Sequence, residues 1–188
     1  LMQQIHHKTI EDLEFNTLLV NLSQLAITDL GKDKILQIKP FTDRDKIITY
    51  LSQTNEYLSS IENQNYIPAH NFDEITNEIR FLVIENSVLE INSFRKIKNI
   101  SEIVNSHILF FQKFNDYYPN LSLLIQNIPL EEQICIAINK IIDKFGEIKN
   151  EASEKLAQIR SEMGVLKTKI NQSFVRALTE YNWGFPML

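Results

Sequence analysis

From Asn150 onward the apolar residues thin to one line: Leu156, Ile159, Met163, Leu166 and Ile170 recur alternately at three and four positions, and Phe174 and Leu178 continue at four. A mean spacing of about 3.5 residues fits the narrow seam of a coiled coil better than the broad face of a core helix, and the later spacings of four shift the line as a stutter does. About 30 residues rising ~1.5 Å each predict a rod of roughly 45 Å, more than a domain of this size needs, so the last helix is expected to protrude. Gly164 in its middle costs about 1 kcal/mol against alanine and marks either a close helix contact or a bend.

Upstream the apolar positions are denser and keep helical spacing. "TIEDLEF" pairs Thr9 with Asp12 in the manner of a capping box with a shorter acid, and Leu13, Leu18, Leu22 and Leu25 carry an apolar face up to "ITDLG". A second helix is expected from Thr28 or Asp29 to a stop at Pro40, because the residue before proline is pushed out of helical dihedrals. The third restarts at Thr42 or Asp43 and sets Ile47, Leu51, Leu58 and Ile61 on one side. After the loop-like "NQNYIPAHN", a fourth begins near Asp73 with Ile75, Ile79, Leu82 and Val83 inward. Phe94, Ile97, Ile100, Val104, Ile108, Phe111 and Phe114 mark a fifth, ended by Pro119. "LSLLIQNIP" is short and apolar, and "LEEQICIAINKIIDKFG" reads as a buried helix closed near Gly146 by a left-handed cap. About seven helices result. With four glycines and five prolines there is little of the punctuation that a many-turned β architecture needs, so the expected class is all-α.

At 188 residues and 44% hydrophobic the chain suits one helical core domain, read over 1–148, with an appended helix over 149–181 and a tail over 182–188. No apolar run is long enough to cross a bilayer, and the first residues lack the basic-then-apolar pattern of a secretory signal. The lone Cys135, among isoleucines, reads as a small buried hydrophobe and leaves no intrachain disulfide, so a cytoplasmic location is expected. Leu1 reads as a cloning remnant ahead of Met2. A net charge of −5 argues against a surface devoted wholly to nucleic acid. Yet between Val165 and Leu178 the only charges are Lys167, Lys169 and Arg176, which makes the far end of the last helix basic and the candidate nucleic-acid contact.

Other chemistry is sparse. His6, His7, His70 and His107 do not stand at zinc-ligand spacing, and Gly31, Gly146, Gly164 and Gly184 are isolated rather than gathered in a GxxxxGK[ST] phosphate loop. Acid pairs such as Glu11 with Asp12 and Glu131 with Glu132 lie at helix starts, where the helix dipole favours them. Phe110, Phe111, Tyr117 and Tyr118 are expected in the core rather than stacked on bases. No catalytic residue, metal site or cofactor site is read in this chain.

Several strings together resemble the MutS family: "KTIEDLEF" (8–15), "PFTDRD" (40–45), "QTNEYLSS" (53–60), "LEINSFRKI" (89–97), "DKFGEIKNEASEKLAQIR" (143–160) and "INQSFVRAL" (170–178). They look like its core and lever region, and more narrowly like the second bacterial branch, MutS type II. The glycine turn followed by "IKNEAS" and a leucine before "IR" is the most specific piece. With Met2 as the start there is no room ahead for mismatch-reading and connector domains, which points to the same branch. The resemblance implies that the last helix is an outgoing lever toward a clamp that closes on nucleic acid. It further implies a full-length homodimer that binds ATP and Mg and acts as an ATPase and endonuclease, its clamp closing on branched or double-stranded DNA to suppress homologous recombination, or on stalled or collided ribosomes, two substrates between which these residues do not choose. This fragment would serve structure and coupling without catalysis of its own. The ending "NWGFPML" departs from the family, whose chain continues into the clamp. The alternative is a helical scaffold or coiled-coil adaptor without a nucleic-acid role, its seam from Leu156 to Ile170 holding a protein partner.

Overall fold

Helix starts that rest on a local side chain form where the residues predict them. Thr28 Oγ1 accepts the amide of Gly31 at 3.1 Å and caps α3 (Asp29–Leu36), and Asp43 accepts the amides of Asp45 and Lys46 and caps α4 (Arg44–Glu62). In the computed structural model, which describes residues 5 to 182, the remaining elements are α1 (His7–Asp12), α2 (Phe15–Ser23), α5 (Thr76–Leu82), α6 (Ile91–Lys113), α7 (Pro119–Ser122), α8 (Gln133–Ile141), a 3-10 turn (Asn150–Ala152) and α9 (Glu154–Asn182). The fold is all-α. Its nine helices among the described residues exceed the expected seven by a break in the first and by the short α7. The chain forms two compact units that divide after Ile136, inside α8.

The break falls at Leu13 and Glu14, where Glu14 takes a left-handed φ of 49° between α1 and α2. Thr9 therefore lies inside α1, whose start makes no side-chain cap, and the expected capping box is absent. Both residues are tolerable in a helix, so propensity does not announce this turn.

In the first unit the buried centre lies where α6 meets the segment into α7. Ile108 and Tyr118 are 2% and 1% exposed, with Phe111 and Ile97 also buried. The Phe110 ring stacks on Tyr118 at 6.1 Å and meets Phe111 edge-on at 5.2 Å, placing three of the four aromatics in or beside the core, while Tyr117 is exposed. The buried Tyr118 hydroxyl accepts from Asn65 Nδ2 at 3.3 Å, so its polar end is satisfied.

Two helices turn the opposite way from their apolar stripes. On α4 the buried residue is Ser60, whose hydroxyl donates to the Tyr57 carbonyl, whereas Ile47, Leu51, Leu58 and Ile61 are exposed. The polar side of α4 faces α7: Gln53 Nε2 donates to the Asn120 carbonyl, and Glu56 accepts from Asn120 and Leu121. On α5 the buried residue is Glu78, with Lys96 Nζ of α6 at 3.5 Å, while Ile79, Leu82 and Val83, expected inward, are exposed. On α2 Leu19 is buried while Leu18 and Leu22 are exposed, as are Leu13 before the helix and Leu25 after it. An apolar stripe at helical spacing announces that a face suits burial, and the described residues do not supply the cover.

Candidate functional site

The most specific string of the sequence folds into a bracket at the root of α9, within the second unit. α8 ends at Ile141, and Ile142 pairs with Ile148 in an antiparallel bridge that closes a tight turn: the Asp143 amide donates to the Glu147 carbonyl at 2.9 Å and the Lys149 amide to the Ile141 carbonyl at 2.8 Å. Gly146 sits in this turn with φ 83°, a conformation that disfavours any side chain. The left-handed glycine was expected as the cap of α8. It belongs instead to the turn beyond it, because Asp143 captures the chain first: its Oδ1 accepts the amides of Phe145 at 2.8 Å and Glu147 at 2.9 Å. The Glu147 amide does most to hold the Asp143 carboxyl below the usual carboxylate range, with the Phe145 and Gly146 amides and the charge of Lys149 adding to it.

The turn is tied at both ends. Lys149 Nζ donates to the Asn139 carbonyl at 2.7 Å, and Arg160 Nη1 reaches back from α9 to the Ile148 carbonyl at 3.0 Å and to Asn150 Oδ1 at 2.5 Å. The segment from Asn150, read from the sequence as already part of the long helix, forms the 3-10 turn. The α-helix begins only at Glu154, where the extended Ser153 accepts the Leu156 amide on its Oγ at 3.2 Å. A serine just ahead of an acidic residue and an apolar line is the signal that would have placed this start. The Arg160 bonds had no such signal, since they appear only once the turn brings Ile148 beside the helix.

Beyond its first turns α9 is exposed on every side from Gln158 to Tyr181. At ~1.5 Å per residue its 29 residues span roughly 43 Å. A Cβ at Gly164 would meet nothing within 4 Å, so no close contact from the described residues accounts for that glycine. Lys167, Lys169 and Arg176 all stand on this exposed stretch, but helical phase separates them. Lys169 and Arg176, two turns apart, run along one flank of the apolar line, and Lys167 lies on the other. The helix thus does not gather them into one patch.

The cleft between α6 and the chain after α7, lined by Ile108, Phe111, Gln112, Asn115, Ser122 and Ile125, presents no titratable side chain among these. Cys135 is half-buried rather than fully buried; burial and then the charge of Glu102 push its thiol up from its usual range, away from the nucleophilic thiolate. No cluster of three or more His, Cys, Asp or Glu among the described residues is arranged to hold a metal ion, and no described helix is long and apolar enough to cross a membrane.

No family model matches the chain. Curated relatives match nearly all of it. Endonuclease MutS2 of Staphylococcus carnosus is 24% identical over 178 residues, covering 92% of this chain and 22% of that protein. Endonuclease MutS2 of Bacillus velezensis is 26% identical over 174 residues, 90% of this chain and 21% of that protein. The protein of the same name from Aquifex aeolicus is 23% identical over 175 residues, 89% and 22% respectively. The resemblance carried by the motifs therefore extends along nearly the whole chain, and the chain spans about a fifth of the length of the curated relatives it matches.

Proposed function

We propose that this chain is the core and outgoing-lever portion of a MutS2-type protein, and that its task is mechanical. The observation that carries the reading is the similarity to proteins named Endonuclease MutS2 over about nine-tenths of the chain, including the string that folds as the root bracket of α9. On this reading the bracket transmits movement between a clamp at the far end of α9 and catalytic parts of the full-length protein. The apolar faces left open on α2, α4 and α5 are surfaces that the rest of such a protein covers.

Catalysis belongs, in this proposal, to segments that the chain does not span. Its residues do not fit ATP, having no glycine-rich phosphate loop, so ATP and Mg are assigned to the full-length protein, together with ATPase and endonuclease activity, and this portion hydrolyses neither ATP nor DNA. The full-length protein is proposed as a cytoplasmic homodimer whose clamp encloses branched or double-stranded DNA, with suppression of recombination as the outcome, or part of a stalled or collided ribosome. The chain's own contribution to such contact is Lys169 and Arg176 along one flank of α9, with Lys167 on the other flank. A second reading, a coiled-coil adaptor, is favoured by one observation: the apolar line of α9 is exposed along its length.

The test is the reading frame beyond Leu188 and the protein it encodes. A GxxxxGK[ST] loop further along, with ATP turnover stimulated by branched DNA or by ribosomes, supports the lever. A frame that ends without such a loop overturns it in favour of the adaptor.

A further inference from the structure

His70 lies in the connection between α4 and α5, shortly after Pro68, and His107 lies within α6. Their sequence spacing gives no metal-ligand signal, yet the fold sets their rings with centres 6.4 Å apart and planes at 71°. His107 Nδ1 stands 2.7 Å from the Ile103 carbonyl oxygen. A carbonyl can only accept, so Nδ1 carries the proton of the neutral ring and Nε2 keeps its lone pair. A metal-binding histidine is held in this way, one ring nitrogen donating to a carbonyl and the other left for the ion. Both side chains are half-buried. His70 makes no hydrogen bond or ion pair among the described residues, and no buried side-chain nitrogen among them lacks a partner, so its ring nitrogens reach solvent.

We infer that His70 and His107 form a binding site for a late first-row transition-metal ion, zinc being the reference, which clips the α4–α5 connection to α6. Two imidazoles on one zinc, each nitrogen about 2.0–2.1 Å from it, place their ring centres about 5 to 6.5 Å apart as the angle between them opens from tetrahedral towards linear. The observed separation falls at the wide end of that range, so the fold already holds the rings at a bonding distance. The two rings share no hydrogen bond of their own that would account for the pairing. Imidazole suits zinc, nickel and copper, whereas magnesium takes oxygen ligands. No third His, Cys, Asp or Glu joins the pair among the described residues, so water fills the other positions on the ion. Half the ligands of a structural zinc site correspond to a dissociation constant on the order of 1–100 µM. An ion held there joins elements distant in sequence and stabilises the folded chain by mass action. The site is independent of the lever reading.

The experiment titrates the metal-free protein with zinc chloride by calorimetry and follows the imidazole nitrogens of the wild type by long-range proton–nitrogen NMR. One equivalent of zinc is expected to bind, shifting Nε2 of His107 and one ring nitrogen of His70 together while Nδ1 of His107 keeps its proton. His70→Gln and His107→Gln should each weaken binding by about tenfold or more. The thermal midpoint should rise with zinc in the wild type and stay fixed in both variants. Magnesium chloride should change neither the spectrum nor the midpoint. His6→Gln with His7→Gln is the control that should bind zinc as the wild type does. The wild-type spectra test the site whether or not the variants fold. Zinc that binds at His6, His7 or Cys135 instead, a dissociation constant weaker than about 1 mM, or a response from only one of the two rings overturns the inference.

Discussion

Glu56 holds Asn120 at two atoms: its Oε1 accepts the Asn120 backbone amide at 3.0 Å and the Asn120 Nδ2 at 2.6 Å, while its Oε2 accepts the Leu121 amide at 2.8 Å. One carboxylate thus satisfies the open amides at the start of α7, which the proline at its first position begins but cannot cap. It also fixes which side of α4 faces inward. Glu56→Gln keeps size and one acceptor but turns the other into an amide donor facing the Leu121 N–H. We expect a loss of about 1–3 kcal/mol, read as a lowered denaturation midpoint, with Glu62→Gln at the exposed end of α4 as the unchanged control.

This pairing also shows how far the sequence was legible. Thr28 and Asp43 were readable as helix starts because a cap is local chemistry between a side chain and an amide two or three residues on. The inward faces of α4 and α5 were not. The apolar periods of Ile47, Leu51, Leu58 and Ile61, and of Ile79, Leu82 and Val83, promise burial without naming the cover, and in this chain Ser60 and Glu78 are buried instead. The cations of α9 were found by charge, whereas their division between two flanks follows from helical phase. The bracket of Arg160 lay within the most specific motif, yet its role needs the turn at Gly146 to bring Ile148 within reach.

Arg160 ties the start of α9 to the turn before it through one guanidinium nitrogen. Arg160→Ala should leave overall stability nearly unchanged, since exposed bonds of this kind contribute about 0.5–1.5 kcal/mol each, while speeding amide hydrogen exchange across residues 148–153 several-fold. Arg160→Lys keeps the charge but not the planar fork, and should restore little of the protection. Exchange that stays at the wild-type rate in both variants would show that the bracket is held without Arg160.

The turn should loosen in acid. Asp143 is depressed below the usual aspartate value of about 3.9, so its stabilising bonds are fully present above that pH and are lost as pH falls through the lower folded value. Amide resonances of Phe145 and Glu147 should therefore shift together with a midpoint below about 3.9. In Asp143→Asn that shared titration should vanish. A midpoint at or above the ordinary value would mean that the amides do not hold the carboxylate.

If α9 is a lever, it must be continuous between its root and its far end. Leu166→Pro removes the hydrogen bond from residue 166 and clashes with the preceding turn, at a cost of about 3 kcal/mol or more. In the full-length protein this should abolish stimulation of ATP hydrolysis by nucleic acid while leaving the basal rate close to wild type. Equal loss of both rates would indicate general misfolding rather than uncoupling.

The chain by itself should bind duplex DNA weakly and with little dependence on salt. The logarithm of affinity falls with the logarithm of salt at about −0.9 per neutralised phosphate, so three cations would set a slope near −3. Their positions lower this further. A duplex lying along one flank of α9 meets Lys169 and Arg176 but not Lys167, so the expected slope is about −2, and the net charge of −5 opposes closer approach. The check is a titration at two salt concentrations with the wild type and with Lys167, Lys169 and Arg176 all changed to glutamine. Submicromolar binding that survives the triple change, or a slope much steeper than −3, would place the contact on another surface of the chain.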